Sequence, residues 1–335
     1  MKKRIFKIIF LLIAVLSFSK EYQLKDDFFD IKLSYDEVSR PGEVFFVRMN
    51  IKTSSKRNFD GKLTANAKLV GKNTISKADF YKCQTKLNKK NKFSMLVGLP
   101  TWSWQKTEDN TKIQITIFIN NEEKKSFSIP VTFEDKKYPH EKIHLNSSLT
   151  NLISKPSPEK KEQSRILNEL IQTTNPEGIY ETTGFIRPTT GTRITSEFGQ
   201  TRTFIYNNGK ESPSYHAGLD FGIPTGTEII ACGRGKVVMA TWRIVTGYSV
   251  IIEHLPGLYS IYYHLSELKC KEGDIVEKGD LIALSGATGL ATGPHLHWEI
   301  RLNTVCVEPD SLVRNYGHDI DSNKIDYEKN PKTEE

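Results

Sequence analysis

Cysteine is scarce in this chain, and no apolar run is long enough to suggest repeated membrane crossing. The 335 residues include four cysteines, too few for a disulfide-stapled scaffold, and no C-x-x-C pair that would indicate a cysteine zinc site or a redox motif. With 37% hydrophobic and 26% charged residues, the chain can bury a core. The composition therefore excludes a wholly disordered chain, a collagen-like chain and a multi-span membrane protein.

Net charge is small once the first nineteen residues are set aside. That stretch has no acidic residue and carries Lys2, Lys3, Arg4 and Lys7, so the formal charge of +7 falls by four to +3 for the remainder. A balance this modest does not indicate a nucleic acid as partner, and we predict none.

The first nineteen residues have the order of a secretory signal peptide: a basic start, an apolar run over residues 8–18, and small residues at Ser17 and Ser19. The run is shorter than the about 20 residues of a membrane span. An uncleaved anchor is the alternative, and it would be the chain's one contact with a membrane. We predict a signal peptide at 1–19 and export to the periplasm or cell envelope.

Alternating apolar residues predict a β-sandwich-like domain at residues 20–140. Isoleucines recur at every second position from Ile113 to Ile119, which is typical of a half-buried strand. Two features leave alternatives open. The basic stretch from Lys82 to Lys92 is a solvated loop or a contact for an acidic polymer. Trp102 and Trp104 share one face of an extended segment, as a core pair or as a platform for stacking a sugar.

The rest of the chain divides into a linker, a second β domain and a tail. The linker, residues 141–180, is predicted to contain one helix, with Ser157 as its N-cap, Pro158 at its first position and an end near Gln172. Residues 181–315 alternate short apolar strands with glycine-rich turns, which predicts an antiparallel β domain. Residues 316–335 form a charged tail. The predicted fold class is therefore mainly β.

The second β domain contains a short motif, His216-Ala217-Gly218-Leu219-Asp220, that pairs an imidazole with a carboxylate. A straight strand would place His216 and Asp220 about 13 Å apart. If both bind one metal, the segment must bend, and Gly218 supplies the freedom to do so. Alone, the spacing also describes a surface histidine near an aspartate.

Three further histidines have suggestive positions. His295 and His297 share one face of a predicted strand with Glu299, about 6–7 Å apart. That distance suits one metal ligand and one neighbour, although a solvated strand face is the alternative. His264 ends a predicted strand and could also be an ordinary satisfied polar residue. Two histidines and one carboxylate form a ligand set used for catalytic zinc, and His264 and His295 can supply a base and a hydrogen-bond donor.

Residues 184–312 resemble the lysostaphin-type (LytM-like) zinc metallopeptidases of bacterial cell walls. The resemblance lies in five stretches in the family's order: Thr195-Ser196-Glu197-Phe198-Gly199, His216-Ala217-Gly218-Leu219-Asp220-Phe221, Tyr263-His264-Leu265-Ser266, Gly273-Asp274-Ile275-Val276 and Thr292-Gly293-Pro294-His295-Leu296-His297-Trp298-Glu299. The N-terminal β domain shows no such resemblance.

The resemblance implies a groove over one Zn²⁺ per chain, with His216, Asp220 and His297 as ligands. It implies that His264 and His295 act on the water and the tetrahedral intermediate. It further implies an endopeptidase that hydrolyses the peptide cross-bridges of peptidoglycan, and we favour the bond from D-alanine to a diamino acid.

Two other functions stay open at this point. The first is a catalytically silent regulator that binds the wall or another hydrolase through the same groove; the complete ligand set argues against it. The second is a surface adhesion protein, supported only by the N-terminal β domain. An envelope regulator protein is a further candidate partner.

Overall fold

The computed structural model describes residues 19–53, 62–83, 91–106 and 108–314. The predicted signal peptide (apart from Ser19), most of the basic stretch from Lys82 to Lys92 and the predicted tail lie outside these ranges. The fold is mainly β, as predicted. Within the described ranges, no helix has the length and apolar character needed to cross a membrane.

The strands of the first half are β1 (Ser19–Lys25), β2 (Phe29–Asp36), β3 (Val38–Ser39), β4 (Val44–Thr53), β5 (Leu63–Val70), β6 (Thr74–Asp79), β7 (Tyr81–Lys82), β8 (Lys92–Pro100), β9 (Lys112–Ile119), β10 (Glu122–Pro130) and β11 (Thr132–Phe133). The later elements are β12 (His140–His144), α1 (Ser147–Ser154), α2 (Pro158–Gln172), β13 (Ile194–Ser196), β14 (Thr201–Ile205), β15 (Glu211–Tyr215), β16 (Gly218–Phe221), β17 (Glu228–Ile230), β18 (Gly235–Arg243), β19 (Gly247–Leu255), β20 (Leu258–Leu265), β21 (Glu267–Leu268), β22 (Ile275–Val276), β23 (Leu281–Leu284), β24 (Leu296–Leu302), β25 (Val305–Val307) and α3 (Pro309–Arg314).

The N-terminal part is built from two antiparallel sheets that share one core. One sheet has the order β1-β2-β4-β8-β7 and the other β10-β9-β5-β6. On β9, Ile113, Ile115 and Ile117 are fully buried while the residues between them are partly exposed, which confirms the predicted alternation. Apolar faces of both sheets meet in one buried cluster, as expected of a sandwich.

The segment between the two β regions is more structured than predicted. The expected helix is confirmed as α2: Ser157 caps it by accepting a hydrogen bond from the Lys160 amide, and Pro158 is its first residue. The prediction of a single helix is wrong, because α1 precedes it. The side chain of Asn146 caps α1 by accepting from the Leu149 amide, and Leu149, Leu152 and Ile153 give this short helix an apolar stripe of its own.

The second β region is built on an eight-stranded sheet, with a separate three-stranded sheet of order β17-β23-β21. The eight-stranded sheet has the order β13-β16-β24-β20-β19-β18-β22, with β25 paired to β24, and the pairs are antiparallel. The core of this sheet also includes Val44, Phe46 and Leu96 from the N-terminal part. The two regions therefore pack on a common apolar core.

A small sheet of three strands lies at one side of the larger one. The hairpin of β14 and β15 pairs antiparallel, and β12 from the predicted linker pairs parallel to β14. Thus a strand that precedes both helices contributes to the structure of the second β region.

Candidate metal centre

The ladder between β16 and β24 positions two of the predicted ligands. Asp220 is directly opposite His297 in this antiparallel pair, and Asp220 Oδ1 lies 2.8 Å from His297 Nδ1. Paired residues share a face of the sheet, so both side chains reach the same side. His216 lies just before β16, and its Nε2 is 3.0 Å from both Asp220 Oδ1 and His297 Nδ1.

The chain does bend between His216 and Asp220, but Gly218 serves a different purpose from the predicted one. Its φ angle is not in the left-handed region that favours glycine. Instead, a Cβ at position 218 would lie 2.2 Å from the carbonyl oxygen of Trp298 on β24. Glycine is needed here because the two strands approach closely at the point where they place Asp220 and His297.

Hydrogen bonds to outer neighbours orient both imidazoles. His216 Nδ1 is 2.8 Å from the carbonyl oxygen of Glu197, so Nδ1–H donates there and Nε2 faces the other two residues. His297 Nε2 is 3.5 Å from Glu299 Oε2, which leaves Nδ1 for the centre. Such outer partners fix the tautomer and ring direction of metal-binding histidines.

Burial and mutual contact set the charges of the three residues. Burial alone would raise the pKa of Asp220, but the hydrogen bonds with His216 and His297 hold that pKa well below its ordinary value. Burial lowers the pKa of His216. Burial would also lower the pKa of His297, yet contacts with Asp220 and Glu299 raise it to about 9. The carboxylate is therefore ionised at neutral pH.

The donor set fits a zinc ion. Ligands of a tetrahedral zinc at about 2.0 Å lie roughly 3.3 Å from one another. The three ligand atoms here are 2.8–3.0 Å apart, so an outward shift of a few tenths of an ångström admits the ion. Two imidazole nitrogens and one carboxylate oxygen are ordinary zinc ligands, and all three residues are buried.

His264 and His295 lie beside this centre with their rings 4.6 Å apart, measured between centroids. In each, Nδ1–H donates to a backbone carbonyl 2.8 Å away, that of Thr288 for His264 and that of Gly293 for His295. Both Nε2 atoms are thus left for other partners; that of His295 is 3.9 Å from Asp220 Oδ1.

His264 also has an unusual backbone and charge state. Its φ is +63°, in the left-handed region, a strained conformation that often marks functional residues. Burial, together with the neighbouring His295 and His297, lowers the pKa of His264 to about 3. Its imidazole is therefore neutral at pH 7, with a lone pair able to accept a proton.

The centre lies in a groove of about 910 Å³. One wall comes from the small sheet of β12, β14 and β15, including Glu141, Arg202 and Tyr215. Arg202 is nearly buried, and its Nη2 donates to Asp220 Oδ2 at 3.1 Å. The small sheet therefore contacts one of the predicted ligands directly.

Sequence reasoning missed three residues that shape the site. Arg202 comes from a hairpin with no motif to signal it. Glu299 was placed on the same strand face as His297 but given no role. Tyr263 stacks on His297 with ring centroids 5.5 Å apart and planes 9° from parallel. The adjacency of Tyr263 to His264 and the two-residue spacing of Glu299 from His297 were available signals.

The fold and this cluster define a metallopeptidase-type domain. Residues 214–309 match Peptidase family M23, so the chain contains an M23 peptidase domain, as the resemblance implied. The DD-carboxypeptidase/endopeptidase Mpg of Neisseria meningitidis serogroup B is 36% identical over 136 residues, which cover 40% of this chain and 30% of that protein. The peptidoglycan DD-endopeptidase ShyB of Vibrio cholerae is 39% identical over 108 residues, covering 32% and 25%.

These matches cover under a third of the curated relatives' length. The crystal structure of a candidate peptidase M23 from Pseudomonas aeruginosa covers more of the chain. It has a TM-score of 0.53 and 20% sequence identity, covering 82% of this chain and 94% of that one. At this identity the likeness concerns the fold alone, and it extends beyond the M23 domain.

Proposed function

We propose that this protein is a zinc-dependent endopeptidase that hydrolyses the peptide cross-links of peptidoglycan during cell-wall remodelling. The observation that carries the proposal is the buried convergence of His216, Asp220 and His297 inside an M23 domain. The names of the relatives, a DD-carboxypeptidase/endopeptidase and a peptidoglycan DD-endopeptidase, support this substrate class. We propose the D-alanine to diamino acid bond as the one cut.

In this proposal His216, Asp220 and His297 hold one Zn²⁺ per chain. The ion, when bound, would polarise the scissile carbonyl and lower the pKa of a water molecule. Asp220 supplies the negative charge that offsets part of the cation's charge. Glu197 and Glu299 keep the two imidazoles turned toward the ion.

His264 and His295 supply the proton transfer and the oxyanion contact. A neutral imidazole with a free Nε2 accepts the proton of the attacking water as its oxygen bonds to the carbonyl carbon. That proton later passes to the departing amine as the C–N bond breaks. The other imidazole donates a hydrogen bond to the oxygen on which negative charge develops. The position of both imidazoles beside the centre supports these two roles.

The groove is large enough, at about 910 Å³, to hold several residues of an extended peptide. Its lining comes from separate elements: the small sheet, the turn after β18, and Leu290 together with residues 292–294. At about 3.3 Å per residue, an extended peptide would run along this open groove with its backbone accessible to the centre. We also propose export to the cell envelope, in keeping with the N-terminal sequence and the peptidoglycan-directed relatives.

Digestion of purified peptidoglycan by the full chain tests the proposal, with mass spectrometry of the released muropeptides. We expect loss of cross-linked dimers that stops with a chelator and returns with added zinc. The masses of the products identify the bond. The matched control is His216→Ala, which removes one proposed ligand. Cleavage that survives both the chelator and this substitution would overturn the metal mechanism, and absence of cleavage by the zinc-loaded chain would favour the silent regulator.

A further inference from the structure

An exposed aromatic stack lies where the N-terminal part meets the groove. Trp102 and Trp104 are stacked, with ring centroids 4.8 Å apart and planes 19° from parallel. Trp104 in turn contacts Tyr215, at 4.9 Å between centroids. Trp104 and Tyr215 are 53% and 52% exposed, although each belongs to a different region of the fold. We call these three residues the aromatic platform.

Contacts with the core and with neighbouring backbone fix the position of the two indoles of the platform. Trp102 packs against the main core. Thr101 is fully buried: its amide donates to the carbonyl of Glu43, and its Oγ1 accepts from the Gly42 amide. The Gln105 amide donates to the Trp102 carbonyl and closes the turn that carries both indoles. Exposed rings on a fixed base lose little conformational entropy when a ligand binds.

The platform continues into the groove. Tyr215 is the residue before His216 and also lines the groove that holds the metal centre. The Trp104 ring lies about 5 Å from the Tyr215 ring, and the Trp102 ring lies about 5 Å further into the N-terminal part, measured between ring centroids. A ligand that leaves the groove past Tyr215, the last residue of β15, therefore reaches these rings next.

Polar groups flank the platform on the face of the small sheet opposite to the one that Glu141 and Arg202 turn to the groove. Thr201 is directly opposite Tyr215 on β14, and His140 is opposite Thr201 on β12. Cross-strand partners share a face, so Thr201 and His140 lie one and two strand spacings, roughly 5 and 10 Å, from Tyr215 across the small sheet. His140 Nδ1 and Thr201 Oγ1 are 2.9 Å apart and form a ready polar pair.

We propose that the aromatic platform is a subsite for the sugar rings of the peptidoglycan glycan strand. A pyranose ring has an apolar C–H face that stacks on an indole or phenol, and a rim of hydroxyl and acetamido groups that need polar partners. The platform supplies the stacking faces, and the hydrogen-bonded pair of Thr201 and His140 supplies a polar rim beside them, whereas a lipid or an apolar peptide would bury these polar atoms against carbon. Four residues of extended peptide reach about 13 Å, so a stem peptide in the groove can place its sugar on nearby rings.

The subsite rests on the proposed function, because it assigns a second part of the same substrate to the same protein. Its binding test is independent of catalysis. The full chain, kept metal-free with a chelator, is titrated with a tetramer of N-acetylglucosamine, and tryptophan fluorescence and NMR shifts are followed. We expect Trp104→Ala and Tyr215→Ala each to weaken binding about tenfold, equivalent to about 1.4 kcal/mol. Trp104→Phe should retain part of the affinity.

The matched control is Trp242→Ala. Trp242 is 46% exposed and contacts Tyr248, but it does not line the groove. Its loss should leave binding of the tetramer as it is. Absence of binding by the unsubstituted chain, or an equal loss in Trp242→Ala, would overturn the subsite.

A second experiment measures cleavage of two cross-linked substrates by the zinc-loaded full chain. One substrate keeps its glycan strands, and an amidase has removed the glycan strands from the other. We expect Trp104→Ala to lower the ratio of kcat/KM on the first to that on the second about tenfold, in line with the binding loss. An unchanged ratio would overturn the subsite while leaving the peptidase intact. Tetramer binding by a chain that cleaves neither substrate would instead defeat the proposed function alone.

Discussion

Replacing Gly218 by alanine should separate two strands and, with them, the metal ligands. The three atoms nearest to the added Cβ would all be backbone atoms of β24: the Trp298 carbonyl oxygen at 2.2 Å, the Trp298 carbonyl carbon at 2.8 Å and the Glu299 Cα at 3.0 Å. No side-chain rotation relieves such contacts. Because an ordinary carbon–oxygen contact is about 3.3 Å, β16 must move by about 1 Å.

The size of the effect follows from that movement. A shift of about 1 Å lengthens a typical 2.9 Å backbone hydrogen bond beyond the hydrogen-bonding range, and each bond lost costs about 1 kcal/mol. With two such bonds and the strain of overpacking, we expect a loss of about 3 kcal/mol in the free energy of unfolding. The same shift exceeds the about 0.2 Å tolerance of a zinc–ligand distance, so zinc affinity should fall as well.

Denaturant unfolding and zinc content after dialysis measure both effects on the purified protein. The matched control is Gly293→Ala, since a Cβ there has no neighbour within 4 Å and φ is ordinary. We expect the control to unfold like the parent and to retain one zinc equivalent. If Gly218→Ala did the same, close strand approach would not be the reason for glycine at this position.

Four further predictions concern single side chains. His297→Ala should lose zinc because only two protein ligands remain, whereas His264→Ala should keep zinc and lose turnover. Metal analysis and peptidoglycan digestion of both variants check this, and loss of metal in His264→Ala would contradict the assigned roles. Arg202→Ala removes the partner of Asp220 Oδ2 and should weaken zinc binding about tenfold in a chelator competition, while unchanged affinity would rule out a positioning role. His254 is buried, and burial lowers its pKa from 6.5 to about 4, so the unfolded chain takes up a proton at a higher pH than the folded chain does. The free energy of unfolding should therefore drop by about 3 kcal/mol between pH 6.5 and 4. His254→Gln should flatten this pH dependence in denaturant titrations, and an unaltered pH dependence would refute this account.

Local signals in the sequence predicted the local features of the fold. Ser157 and Pro158 mark the start of α2 because capping depends on neighbouring residues alone. The alternation along β9 reports burial on one face and needs no knowledge of the partner strand. The H-x-x-x-D and H-x-H motifs brought the site residues to attention, and their roles as ligands and catalytic groups stay predictions.

Features that depend on distant contacts were not predictable in this way. Arg202 lies on the β14–β15 hairpin and contacts Asp220 only in the folded chain, and no residue near Arg202 in sequence indicates this contact. Trp104 meets Tyr215 only because two regions share a core. Gly218 was assigned to flexibility, since a single sequence cannot show that another strand passes 2.2 Å from its absent side chain.

The parallel pairing of β12 with β14 limits how this protein can be divided. A cut after the helices, at residue 181, would seem to free an independent catalytic cassette, yet it would remove β12 and leave one edge of β14 unpaired beside the groove. Conversely, a protease that nicked the chain between α1 and α2 would release nothing at once, because β12 would remain held by its neighbour. A chimera that replaces the N-terminal region with another domain must therefore keep residues 140–144 together with the catalytic half.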